Sequence, residues 1–184
     1  MLSRRQLIKT GLAGALLLGT ARLAHGPFRA AGILPFADER HFRILDAPGR
    51  TAMAAIARVM LADALPTESA LRQAAIEAAV HGCDVAIAGL PLLVQEEVKD
   101  LLALLNQPLS RRWLLGVQAD WLEADDIAIA NFLTRWRYSS FSLMRSGYQA
   151  LHQIVFAAWY GSTAAWGGIG YEGPPAFMKD FWNA

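Results

Sequence analysis

Residues 139–161 read Ser-Ser-Phe-Ser-Leu-Met-Arg-Ser-Gly-Tyr-Gln-Ala-Leu-His-Gln-Ile-Val-Phe-Ala-Ala-Trp-Tyr-Gly. Within them Phe141, Met144, Tyr148, Leu151, Val155 and Trp159 recur at steps of three and four, so one face of a long helix is apolar. Ser139 or Ser140 is placed to cap its start, and Gly161 to end it. Upstream, Glu123, Asp125 and Asp126 stand before a run through Ile127, Ala130, Leu133 and Trp136, a second helix whose acids suit its positive end. Before that come a short helix around Ser110 to Val117, beyond Pro108, and a helix from Pro91 to about Asn106. The latter carries Val94, Val98, Leu101, Leu102 and Leu105 opposite Glu96, Glu97, Lys99 and Asp100.

Further towards the start, Thr67 or Ser69 caps a helix reaching about Ala88, with Leu71, Ala75, Ile76, Ala78 and Ala79 as a stripe of mostly small residues. Asp46 and Pro48 open another to about Asp63, with Met53, Ile56, Ala57, Met60 and Leu61 on its apolar face. Residues 27–47 hold Pro27, Gly32 and Pro35 with mixed charges and read as an extended linker. There is no long alternating strand pattern, no repeat and no low-complexity tract. The chain is expected to be all-α: a small bundle of about five or six helices with an irregular tail rich in aromatic residues, Gly and Pro from about residue 161.

The 184 residues suit one domain, and the 54% hydrophobic content with only 18% charged residues suggests a membrane segment or a large partner surface. The net charge of +1 hides a division. Arg4, Arg5, Lys9, Arg22 and Arg29 lie among the first 30 residues with no acid, giving +5. The remainder, with 12 basic against 16 acidic residues, carries −4. A mildly acidic body does not invite nucleic acid. Cys83 is the one cysteine, so no internal disulfide forms; it reads as a buried small hydrophobe or as one half of a bridge to another chain.

Ser3-Arg4-Arg5-Gln6-Leu7-Ile8-Lys9 resembles the twin-arginine export signal: a polar residue, two arginines, any residue, a bulky apolar pair, then lysine. Leu7 stands where Phe is most frequent. The apolar run from Gly11 to Ala21 behind it is about half a bilayer-spanning helix, short for a stop-transfer segment. Small residues two apart occur at Gly19/Ala21, Ala24/Gly26 and Ala30/Gly32, and Pro27 argues against the middle pair as a cleavage point. The expected organisation is a signal segment and linker over 1–32 and a single helical domain over 33–184. The route carries folded proteins, so the passenger folds before export to the periplasm, free or associated with the inner membrane.

The chemistry-bearing residues form no convincing catalytic set. The histidines are His25, His41, His81 and His152. His81 and Cys83 point about 200° apart on a regular helix and cannot share a metal. Glu123, Asp125 and Asp126 fit the helix dipole better than paired acid–base work. One Cys excludes haem-attachment and iron–sulfur spacings, and Gly167-Gly168-Ile169-Gly170 lacks the strand and helix of a nucleotide fingerprint. No metal or cofactor site is expected. An independent periplasmic enzyme would need a pocket around Arg145, Tyr148 and His152. A stand-alone envelope-associated helical protein would need no partner at all.

The stretch from Ala157 to Trp182 crowds Trp159, Tyr160, Trp166, Tyr171, Phe177, Phe181 and Trp182 together. Such rings either fold back to close the bundle or anchor a partner. Both can hold at once, with Phe177, Phe181 and Trp182 reaching outward. Ala158-Trp159-Tyr160, Trp166 and Ile169-Gly170-Tyr171-Glu172-Gly173-Pro174-Pro175 together resemble the C-terminal signature of small accessory subunits of periplasmic flavin dehydrogenases, the gluconate 2-dehydrogenase subunit 3-like and sorbitol dehydrogenase small-subunit families. The resemblance covers the leader and the last 45 residues; the middle matches in pattern only, and Glu172 replaces the usual proline. It implies a non-catalytic subunit that binds, stabilises and escorts a signal-less FAD-dependent enzyme of the glucose–methanol–choline type through the twin-arginine translocase, in complexes that a cytochrome c subunit often completes. It also implies that Gly170, Gly173, Pro174 and Pro175 shape the partner-binding tail.

Overall fold

In a computed structural model, the structure describes residues 42–166 and 170–172. Among these it is helical, with no strand. Five helices of 12 to 20 residues form the body: α1 (Ala47–Met60), α2 (Ser69–Ala88), α3 (Leu92–Asn106), α5 (Asp126–Arg137) and α6 (Ser142–Tyr160). Between α3 and α5, one turn α4 (Pro108–Ser110) runs into a π-helical turn Arg111–Leu115, which the left-handed Gly116 ends; α7 is the single turn Thr163–Trp166. The signal residues Ser3, Arg4, Arg5, Leu7, Ile8 and Lys9, His25 and His41, and most of the linker lie outside the described residues. So do Gly173, Pro174, Pro175, Phe177, Phe181 and Trp182.

The helix starts follow local chemistry. Asp46 has extended backbone angles and its carboxylate accepts from the Gly49 amide at 2.8 Å, with Pro48 in the first turn. Asp125 does the same for α5, accepting from the Ile127 amide. Two expected caps, Thr67 or Ser69 for α2 and Ser139 or Ser140 for α6, are displaced. The residue before α2 is Glu68, which makes no side-chain cap, and the one before α6 is Phe141. Ser139 instead accepts from the Phe141 amide at 3.1 Å, so its hydroxyl shapes the turn leading into the helix.

The core is organised around α1, which packs against α2, α3, α5 and α6. Gly49 to Ala57 are all buried, so α1 has no solvent face over that stretch, whereas its sequence pattern predicts an apolar stripe. Alanines at 52, 54, 55 and 57 make this possible, because only small side chains let four neighbours close in. The face of α2 is also corrected. Leu71 and Ala78 are exposed, and the buried line is Ile76, Ala79, Val80, Cys83 and Ile87. This line meets α6, the most extensive helix pair, where Gly82 lies so close to Ala158 that an added Cβ would sit 3.0 Å from the alanine's own.

On α3 the buried residues Val98, Leu102 and Leu105 match the periodicity. Gln95 joins them because its amide donates to the Ala88 and Leu90 carbonyls at the end of α2. Arg111, also buried, forms an ion pair with Asp120 that fastens the loop before α5. No helix among the described residues is long and apolar enough to cross a membrane.

Candidate partner interface

Along α6 the rings of Tyr148, His152, Phe156 and Tyr160 follow one another four residues apart. Their centroids are 5.7, 4.3 and 5.9 Å apart, the last two pairs stacked. All four are partly or fully exposed. At the lower end, the Arg137 guanidinium lies 5.3 Å from the Tyr138 ring and 5.9 Å from the Tyr148 ring, joining the end of α5 to the ladder by cation–π contacts. At the upper end, the Trp166 indole donates to the Tyr160 carbonyl at 3.2 Å, and Tyr171 packs edge-on to Trp166 at 5.1 Å. Gly170 permits this return with φ of +67°, and the Tyr171 amide donates to the Trp166 carbonyl. A band of aromatic rings therefore runs from Tyr138 to Tyr171, joined through Arg137 at one end and through the Trp166–Tyr160 hydrogen bond at the other.

Beside its lower end, a groove of about 560 Å³ opens between the π turn and the α5–α6 connection, lined by Leu114, Arg135, Trp136, Tyr138, Phe141 and Met144 among others. Tyr138 and Phe141 are 73% and 67% exposed, although Phe141 was expected on the buried face of α6. Phe141 is the residue before the first turn of α6, and the buried residues of that helix begin only at Gly147.

The expected partner residues divide. Trp159 is 4% exposed and belongs to the core, so it closes the bundle. Its neighbour Tyr160, 45% exposed, lies in the band together with Trp166, Gly170 and Tyr171. Phe156 has no role expected from the sequence, and His152 is placed only in the pocket an independent enzyme would need. The signal that would have found the ladder is the four-residue spacing of 148, 152, 156 and 160.

The residues considered for catalysis do not converge. Arg145 donates to the Ser139 carbonyl and His152 is stacked between Tyr148 and Phe156; none of Arg145, Tyr148 and His152 lines the groove. Asp126 pairs with Arg58 at 2.7 Å while Arg58 also donates to the Ala124 carbonyl, so these charges dock α5 on α1. His81 meets Phe42 edge-on and is exposed, whereas Cys83 is buried. Among the described residues no group of three His, Cys, Asp or Glu is placed to hold a metal.

Cys83 faces Ile154 across the α2–α6 interface, and burial, reinforced by the Asp84 charge, pushes its thiol up to about 12. A bridge to another chain does not fit a sulfur so enclosed. Native chain at pH 8 is expected to resist iodoacetamide and to react fully in urea; prompt alkylation without denaturant would refute this placement. Because the folded thiol holds its proton to higher pH than an unfolded one near 9, its contribution to stability is complete below about 9 and lost as pH rises through about 12.

Asp84 stands next to it, the last residue of the His81-Gly82-Cys83-Asp84 cluster. It is wholly buried, and its carboxylate accepts from the Arg43, Ile44 and Leu45 amides at 2.8, 2.9 and 2.7 Å. The segment entering α1 is thereby fastened to α2. Compared with family models, curated proteins and solved structures, the chain has no match in any of the three.

Proposed function

We propose that this chain is a non-catalytic accessory subunit. It binds and stabilises a signal-less FAD-dependent dehydrogenase of the glucose–methanol–choline type and escorts it through twin-arginine export to the periplasm. The observation that carries the reading is the aromatic band, a run of partly exposed rings in contact along one face of the helical body. Exposed Tyr and Trp beside Arg are the side chains that anchor protein interfaces at low entropic cost. Support also comes from the twin-arginine pattern at Ser3 to Lys9 and from the resemblance carried by Trp159 to Pro175. In this role the chain contributes surface and an address, and the chemistry resides in the flavin-bearing subunit; a cytochrome c subunit would pass electrons onward.

The test is to purify the tagged full-length chain from its native host. The expected result is a yellow protein in fixed stoichiometry whose own sequence lacks an export signal. Changing Arg4→Lys and Arg5→Lys together is expected to strand both proteins in the cytoplasm. A chain that reaches the periplasm alone and monomeric, or a flavoprotein that is exported equally well beside the twin-lysine variant, would overturn the proposal.

A further inference from the structure

We infer that the band on α5 and α6 is the face that seats the flavoprotein subunit, and that it takes an apolar surface of that subunit edged with carboxylates. This rests on the escort reading above and adds to it the place and chemistry of contact. Three observations lead there. The first is continuity: each member touches the next, from Tyr138 through Arg137 to Tyr148, up the ladder to Tyr160, and on to Trp166 and Tyr171. The rise from Tyr148 to Tyr160 alone is roughly 18 Å. The groove lies below this stretch and the Trp166–Tyr171 corner above it.

The second is charge. The body behind the leader is acidic overall, yet the whole stretch from Ile127 to Tyr171 contains no Asp or Glu, and its charged residues are Arg135, Arg137 and Arg145. The two helices that build the band carry one acid, Asp126 at the start of α5, which is paired with Arg58; their remaining charges are cations. A guanidinium resting on ring faces, as Arg137 does, is held in position to receive a carboxylate in its plane. Complementarity calls for a partner surface with acids at its rim.

The third is shape. The groove between Leu114 and Phe141 is shallow and open, with Arg135 and Trp136 among its lining residues. A side chain projecting from a protein can lie in such a depression.

The experiment uses the full chain co-produced with the flavoprotein, reading flavin retained per chain at low and high salt. Arg137→Glu and the triple variant Tyr138→Ser, Phe141→Ser, Tyr160→Ser alter exposed side chains, so circular dichroism should match the parent. Leu92→Ser with Leu93→Ser, on the exposed start of α3 outside the band, is the control. Both band variants are expected to cut retained flavin about tenfold or more, and retention by the parent to fall with salt while the control stays near parental. Full retention by the band variants, or an equal loss in the control, would overturn the assignment. Sedimentation with phosphatidylcholine–phosphatidylglycerol vesicles covers the other occupant. If the band variants lose vesicle binding yet keep the flavoprotein, the band faces lipid and the inference fails. If the parent itself retains no flavin, the escort reading has failed, and this inference with it.

Discussion

Replacing Asp84→Ala is expected to destabilise the protein by about 3–5 kcal/mol, because it orphans three backbone donors at once. The Arg43, Ile44 and Leu45 amides all point at this one carboxylate, and the Leu45 contact is fully buried. A buried donor left without a partner costs roughly 1–3 kcal/mol. Arg43 is partly solvated and can turn to water, which keeps the total below three full penalties. For a chain of this length that amounts to roughly 10 °C in Tm. Asp84→Asn retains one acceptor oxygen but places an NH2 group against an N–H, so about 1–3 kcal/mol is expected. Urea unfolding of the full chain reads both values, and faster hydrogen exchange at 43–45 would locate the effect. A change within about 1 kcal/mol for the alanine variant would mean that this staple is not a major constraint on the fold. The segment it holds joins the helical body to the region containing the export pattern. If folding precedes export, as proposed, the same variant should also accumulate in the cytoplasm.

Phe132→Ala is expected to cost about 3–5 kcal/mol, the range for deleting a fully buried aromatic ring. The ring lies 5.0 Å edge-on from Trp136 and 6.3 Å from Trp121. It therefore joins α5 to the loop that precedes it, and supports the wall of the groove through Trp136. Trp136 is confined on its other side by Gly147, where an added Cβ would come within 2.6 Å of the indole. The indole cannot slide freely to fill the cavity, which places the cost in the upper part of the range. Phe132→Leu, which keeps most of the volume, should lose about 1–2 kcal/mol. Phe141→Ser, on exposed backbone nine residues later, should fall within about 0.5 kcal/mol of the parent. Denaturation monitored by tryptophan near-ultraviolet circular dichroism compares the three. Equal losses at Phe132 and Phe141 would contradict the division between core and surface described above.

The two variants separate what can be read along the chain from what cannot. Asp46 and Asp125 announce their helices locally, since a cap needs only an amide three or two residues ahead. The all-α class, the long helix ending at Gly161 and the inward face of α3 were equally legible, because a 3.6-residue period is a property of consecutive residues. The ladder on α6 was legible in principle through its spacing of four.

Only the tertiary structure decided the rest. On α2 alanines surround the helix so evenly that no face is strongly marked, and its approach to α6 selected Ile76, Val80, Cys83 and Ile87 over Leu71. Gly49–Ala57 lost its solvent face because four helices converge on it. Trp159 and Tyr160 are adjacent and alike in sequence, yet a step of about 100° turns one into the core and the other onto the band. The role of Asp84 has no local sign, because the backbone donors it serves lie some 39 to 41 residues earlier. Sequence alone determined which segments coil and where they begin, because those free energies arise from neighbours along the chain. Which faces are buried, and which polar groups are satisfied in the interior, depended on elements far apart in sequence that only folding brings into contact.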